Sequence, residues 1–285
     1  MNKIVNKVYL KCKDYSVSGE YFELIQDSNL DILVTSPQPK ENQLGRYYKS
    51  EDYISHTDSK RNLFEKAYHV VKGIALKRKL NLINSFITTE KFLLDVGCGT
   101  GDFLQVAKTN GWQVCGVEPD SDARELALKK VGNNVYDTSK IETLKNNSFD
   151  VITLWHVLEH LPNLDTHIAN YKRLLKPKGV LIIAVPNFKS YDAIYYKSFW
   201  AAFDVPRHLW HFSQTGISKL LEKQQFKVAK TFPMIFDAFY VCLLSEKYKT
   251  GKMNYIKALK IGLQSNLKAK QSGEYSSLIY VAKNE

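Results

Sequence analysis

Residues 92–103 read Phe92-Leu93-Leu94-Asp95-Val96-Gly97-Cys98-Gly99-Thr100-Gly101-Asp102-Phe103, an apolar run followed at once by glycines at alternate positions. Glycines between a strand and a helix let the backbone bend sharply. They also leave room for a ligand against the main chain, at the carboxyl edge where open α/β sheets bind ligands. The spacing is GxGxG, tighter than the GxGxxG pattern that sets a helix amino terminus on a pyrophosphate, so a ligand without phosphates fits better than a dinucleotide. An ordinary tight turn would explain a lone GxG equally well, and a second feature weighs against that. The next apolar run ends in Val117-Glu118-Pro119-Asp120, which puts a carboxylate at a strand tip where it can take both hydroxyls of a ribose.

Working outward, short apolar runs recur at Phe92–Val96, Gln113–Val117, Asn134–Tyr136, Phe149–Leu154 and Val180–Val185. Helical patterns lie between them at Phe103–Thr109, Asp122–Lys130 and His167–Leu175. Such alternation predicts a parallel sheet with helices on both faces. Upstream, Phe64, Tyr68, Val71 and Ala75 recur at helical spacing behind a Thr57/Asp58/Ser59 cap, which predicts a helix reaching toward Ile83. Before it, residues 20–39 read as two short strands and a turn, and residues 46–59 as a polar, tyrosine-rich loop. Beyond the sheet, Ser213 caps a segment with Ile217, Leu220 and Leu221 on one face. A strand (Lys227–Phe232), two helices (Asp237–Tyr248 and Met253–Lys268) and a last strand (Ser276–Val281) follow. The expected division is an amino-terminal β extension with a lid loop over residues 1–60 and a main domain over residues 61–285.

Composition narrows the class. With 285 residues, 44% of them hydrophobic, the chain has enough apolar mass for a large core and is neither disordered nor disulfide-stapled. Cys12, Cys98, Cys115 and Cys242 form no CxxC pair and no zinc-ligand spacing, so reduced thiols and no metal are expected. The 40 basic residues against 29 acidic ones leave a formal charge of +11, which favours anionic partners without fixing a fold. The amino end has no signal-peptide pattern. The longest nearly apolar stretch, Phe232–Leu244, contains Pro233 and Asp237 and is too short to span a bilayer. A cytoplasmic protein without membrane insertion is the expectation.

Four stretches together resemble the class I S-adenosylmethionine-dependent methyltransferases. LLDVGCGTGDF resembles their first motif, VCGVEPD the second, SFDVITLWHVLEHL the fourth-strand motif, and LLKPKGVLIIAVPN the fifth-strand motif. The resemblance covers roughly residues 92–187. It implies a doubly wound, mostly parallel seven-stranded Rossmann-like sheet with helices on both faces and the last strand antiparallel, beside the small amino-terminal β/helical extension. It further implies S-adenosyl-L-methionine as cofactor, with the backbone at Gly97, Gly99 and Gly101 facing the methionine part, Asp95 placing the amino group and Glu118 taking the ribose diol. Cys98, Pro119, Trp155 and His156 complete the implied cofactor-binding set. Asp137, at the end of the third sheet strand, is a candidate for the adenine amine, with a solvated turn acid as the equal alternative. The chemistry agrees, because the cofactor's ammonium seeks a carboxylate and its sulfonium suits aromatic walls.

Four histidines are candidate catalytic bases. His156 and His160 follow the fourth strand, with Glu159 and His160 expected to begin a helix whose early start would put both imidazoles on one face. Glu159 and His160 alone make a weak metal site. His208 and His211, the first choices for the base, lie in the aromatic stretch Tyr191–Ser213, read as an acceptor-binding lid with Asp204 and Arg207. The competing reading makes Asp204–Arg207 a salt bridge and the aromatics packing for the sheet. Tyr47, Tyr48, Tyr53 and His56 are candidates for a lid over the cofactor. The predicted function is methyl transfer to O, N or C of a small-molecule acceptor. An RNA or protein acceptor, which the charge would favour, and a non-catalytic cofactor-binding protein stand as alternatives.

Overall fold

The computed structural model describes residues 7–48, 63–86 and 90–284. Three strands come first: β1 (Lys7–Lys13), β2 (Tyr21–Asp27) and β3 (Ile32–Ser36). After the helix α1 (Leu63–Asn84) follow β4 (Phe92–Val96), α2 (Asp102–Thr109), β5 (Gln113–Val117), α3 (Ser121–Val131), β6 (Val135–Tyr136) and β7 (Phe149–Trp155). The remainder is α4 (Leu164–Leu174), β8 (Leu175–Pro186), α5 (Tyr191–Tyr196), β9 (Trp210–Phe212), α6 (Gln214–Glu222), β10 (Phe226–Pro233), α7 (Asp237–Thr250), α8 (Tyr255–Ser272) and β11 (Ser277–Asn284).

Seven strands make the main sheet in the order β10-β11-β8-β7-β4-β5-β6, with β11 antiparallel to both its neighbours and the others mutually parallel. The central strands are buried on both faces, so they read as continuous apolar runs and not as alternating ones. Ile152, Leu154, Leu181 and Ile183 are fully buried there. The first connection order reverses at β4, whose neighbours are β5 on one side and β7 on the other. That switch point places the carboxyl ends of β4, β5 and β7 around one crevice.

The amino-terminal part is larger than the two strands expected. β1 pairs with β2, β2 with β3, and β3 with β9, all antiparallel, giving a four-stranded sheet completed from residues 210–212. β1 escapes a periodicity reading because lysines at 7, 11 and 13 interrupt its apolar residues, of which Cys12 alone is fully buried. The stretch after β8 is folded, not a free loop. Phe188, Tyr196, Trp200 and Phe203 join Phe22, Leu24 and Leu33 of the small sheet and Cys242 and Ile261 of the α7–α8 hairpin in one apolar cluster.

Candidate active site

The three glycines have different tasks. All lie at positive φ, +67° at Gly97, +53° at Gly99 and +79° at Gly101, a region in which other residues are strained. A Cβ on Gly97 would collide with Val157, and one on Gly101 would stand 2.9 Å from Cα of Ala127 in α3. Around Gly99 none of the described residues lies within 4 Å of such an atom. Two glycines therefore let protein pack against the turn, and the middle one faces open space.

Two acids border that space. Glu118, at the tip of β5, accepts hydrogen bonds from the Gly99 amide (2.7 Å) and the Asp120 amide (3.0 Å). Burial raises its pKa against the opposing pull of these amides. Asp95, near the end of β4, is 2% exposed and accepts the Thr153 hydroxyl at 2.6 Å. Burial pushes its pKa up to about 7, moderated by Thr153 and by the charge of Lys79. Lys79 of α1 holds its ammonium 4.3 Å from the centre of the Trp155 ring, a cation–π distance. Burial lowers its own pKa, and the charges of Asp95 and Asp237 act against that. The buried Trp155 Nε1 has no hydrogen-bond partner among the described residues. Cys98 is buried in the turn, and Arg124 donates to the carbonyls of Glu118 (2.6 Å) and Pro119 (3.0 Å), fixing the β5 end. Asp137 accepts the Ser139 amide (3.1 Å) and pairs with Arg124 at 3.5 Å.

These features fit S-adenosylmethionine. An open glycine, a carboxylate at a strand tip, a buried acid able to meet an ammonium, an aromatic face and an unpaired indole donor are the groups that cofactor would use. None of them needs a phosphate.

The histidines diverge from expectation. His160 does not begin an α-helix. Leu158–His160 is one 3₁₀ turn and α4 starts at Leu164, because Pro162 disfavours helical backbone in the residue before it. His156 and His160 therefore share no helical face. His156, at φ +58°, sets its Nε2 3.0 Å from Asp237 of α7 and its Nδ1 3.4 Å from Glu159. Burial works against its charge, but these two carboxylates outweigh it and push the pKa up to about 10. His160 Nδ1 lies 3.0 Å from the Tyr48 hydroxyl and 3.0 Å from the Arg207 carbonyl. A carbonyl only accepts, so Nδ1 carries the proton and Nε2 the lone pair.

His208 follows the same rule, its Nδ1 donating to the Ala202 carbonyl at 2.9 Å. Burial, then the neighbouring His160, lowers its pKa to about 4. His160 and His208 meet edge to face at 4.5 Å. Between them and His156 is Glu159, fully buried, with no well-aligned donor to either oxygen. Ligand atoms of Glu159, His160 and His208 all lie within 4.8 Å of one another, so His208 adds a third ligand to the two the sequence offered, at a spacing that could hold a divalent cation. His211 neighbours His208, with ring centres 6.3 Å apart, but turns to the small sheet. It is buried in β9 and its Nε2 donates to Thr35 Oγ1 (3.0 Å), since that hydroxyl is already donating to the His208 carbonyl at 2.6 Å. Burial holds its pKa well below the imidazole range.

Arg207 belongs to the scaffold. It is 5% exposed and bonds Asp204 (2.6 and 2.9 Å), Asp14 (3.2 Å) and the Tyr47 carbonyl (2.8 Å). The salt-bridge reading of Asp204–Arg207 is the one realised. Tyr47 does not fold over the crevice, being buried against Phe22 in the small sheet. Tyr48 does reach the histidine cluster, while Tyr53 and His56 lie outside the described residues. Sequence reading missed Lys79, Thr153 and Asp237. Lys79 and Thr153 lie in runs that periodicity marks only as helix and strand, and Asp237 comes from α7, 81 residues beyond His156.

A family model described as a methyltransferase domain matches residues 69–231. Among curated proteins, the chain is 33% identical over 135 residues to a ubiquinone biosynthesis O-methyltransferase of Coxiella burnetii, covering 44% of this chain and 56% of that protein. It is 35% identical over 108 residues to the protein of that name from Actinobacillus pleuropneumoniae, covering 34% and 46%. The chain thus spans about half the length of the curated relatives it matches. Among solved structures, magnesium protoporphyrin IX methyltransferase from Synechocystis, with bound SAH, superposes with a TM-score of 0.56 at 16% identity, covering 86% of this chain and 100% of that one. A SAM-dependent methyltransferase from Archaeoglobus fulgidus gives 0.53 at 19%, covering 78% and 98%. These two likenesses concern the fold.

Proposed function

Because the chain belongs to the methyltransferase-domain family and has the class I S-adenosylmethionine-dependent methyltransferase fold, we propose that it methylates a hydroxyl oxygen of a small molecule. The observation that carries this reading is the open space at Gly99 flanked by Asp95 and Glu118. S-Adenosylmethionine, when bound, supplies a methyl group activated by a sulfonium. Asp95 meets an ammonium, Glu118 turns from the backbone amides to a ribose diol, and Trp155 offers an aromatic face to a cation. The choice of oxygen follows the curated relatives' name and the nearby imidazole lone pairs.

His160 is the proposed base. Its Nε2 has no hydrogen-bond partner among the described residues and can take a hydroxyl proton, Nδ1 is anchored to the Arg207 carbonyl, and Glu159 stabilises the imidazolium that forms. His156 suits that task poorly, since a pKa near 10 keeps it protonated at neutral pH. His156 instead holds α7 to the crevice through Asp237. Four free thiols are in keeping with a reducing cytoplasm.

Titration calorimetry with S-adenosylmethionine tests the reading. The wild type should bind, and Glu118→Ala should weaken binding about tenfold or more. His160→Asn should keep the cofactor affinity and lower methyl transfer to a small hydroxylated acceptor by roughly a hundredfold or more. No cofactor binding by the wild type would end this reading. Binding without transfer to any small hydroxylated acceptor would leave only a cofactor-binding role.

A further inference from the structure

Helix α8 has an outer face with no partner among the described residues. Its sequence, YIKALKIGLQSNLKAKQS, buries Ala258, Ile261, Gly262, Ser265 and Ala269. That inner side packs closely on α7, where a Cβ on Gly262 would press into Phe239. The opposite side carries Ile256, Leu259, Leu263 and Leu267, exposed by 85%, 61%, 51% and 51%. Spacings of three and four residues align these aliphatic side chains in one stripe along the helix. Lone exposed leucines are ordinary, but a stripe of four along a helix already packed on its other side marks a surface that something covers.

Charge indicates what covers it. The helix contains Lys257, Lys260, Lys268 and Lys270 and no acidic residue. Lys257 turns back to Glu246 at 3.4 Å and Lys268 lies over the Tyr191 ring at 3.8 Å. Lys260 and Lys270 stand in solvent at the borders of the stripe. A second copy docked on the same face would bring like charges together in a chain that already carries +11. An anionic lipid surface answers both features, since acyl chains accept the stripe and headgroups accept the lysines. No helix among the described residues is long and apolar enough to cross a bilayer, so the contact is a shallow one.

We propose that the outer face of α8 lies flat in the interfacial layer of an anionic membrane, with Ile256, Leu259, Leu263 and Leu267 among the acyl chains and Lys260 and Lys270 at the headgroups. The partner hairpin helix α7 carries Asp237 to His156, and α8 itself donates Ser265 to buried Asp192 at 2.6 Å. The hairpin that carries the stripe therefore borders the crevice at His156. An apolar acceptor dissolved in the bilayer would be released beside it. The lipid contact does not depend on methyl transfer, so each can fail alone.

Vesicle flotation of the full chain is the test. The wild type should float with vesicles containing phosphatidylglycerol and much less with pure phosphatidylcholine, and added salt should weaken the difference. Leu259→Gln with Leu263→Gln should reduce partitioning roughly tenfold or more. Lys260→Glu with Lys270→Glu should abolish the preference for phosphatidylglycerol. All these residues are exposed, so unchanged melting temperature and cofactor affinity would show that the fold is intact. A wild type that stays unbound on anionic vesicles would overturn the proposal, as would leucine variants that float equally well. Sedimentation showing a dimer that the leucine variants split would assign the face to a second copy instead.

Discussion

Gly99 and Asp95 show how single residues divide structural from ligand-directed work. Gly99→Ala meets no neighbour, so its cost to the fold is the left-handed backbone alone, about 1–2 kcal/mol. The added methyl would stand in the space kept for the ligand, and calorimetry should find cofactor affinity lost while urea unfolding stays cooperative. Asp95 adds a pH dependence. Its carboxyl is pushed up to about 7 in the ligand-free protein, so below that pH the acid is neutral and cannot meet an ammonium. Affinity should fall by up to about tenfold per pH unit below about 7, with proton release on binding. Stability follows the raised acid in the other sense: the unfolded chain loses this proton near pH 4, so Asp95 costs stability as pH climbs from about 4 through about 7. Asp95→Asn should flatten both profiles, and an unchanged binding profile in that variant would remove Asp95 from the site.

At the scale of elements, Gly101 reports on helix packing. It opens α2, and Ala127 of α3 approaches it so closely that a methyl group would push on backbone, not on a movable side chain. Gly101→Ala should therefore destabilise more than Gly99→Ala, by roughly 2 kcal/mol or more in urea unfolding, from the combined strain and overpacking. Equal losses for the two variants would mean that α2 and α3 can move apart freely. The histidine cluster is another product of elements. The 3₁₀ turn after β7 supplies Glu159 and His160, the segment before β9 supplies His208, and α7 supplies Asp237. A helix starting four residues earlier would have dispersed them, and Pro162 prevents that start.

At the scale of the molecule, Arg207 ties the small sheet to the stretch inserted after β8. It reaches Asp14 after β1, the carbonyl of Tyr47 and Asp204 in the inserted stretch. Despite the cost of burying them, hydrogen bonds from Ser18 and Ser16 and the Arg207 charge hold the Asp14 carboxyl below its ordinary range. Its contribution to stability is thus present above about pH 4 and fades as pH falls further. Removing the cation strands a buried carboxylate, so Arg207→Met should cost about 3–5 kcal/mol in chemical unfolding at neutral pH. A loss below about 1 kcal/mol would show that apolar contact alone holds the inserted stretch on the small sheet.

Local periodicity and backbone chemistry make part of this fold legible in the chain alone. The β4–glycine–α2 turn, the order of strands and helices and the acid at the tip of β5 follow from residues adjacent in the chain. Each is set by patterning that a stretch of ten residues contains. Only the tertiary structure decided the histidines and the small sheet. His211 pairs with Thr35, His156 with Asp237, and β9 with β3, across 176, 81 and about 180 residues of chain. Such contacts come from the packing of whole elements, which leaves no periodic trace in either partner. The charge state of each imidazole depends on those distant neighbours and on burial. This is why four histidines that look alike in the chain become a cation between two carboxylates, a neutral ring pinned under a strand, and a pair of lone-pair donors around one buried acid.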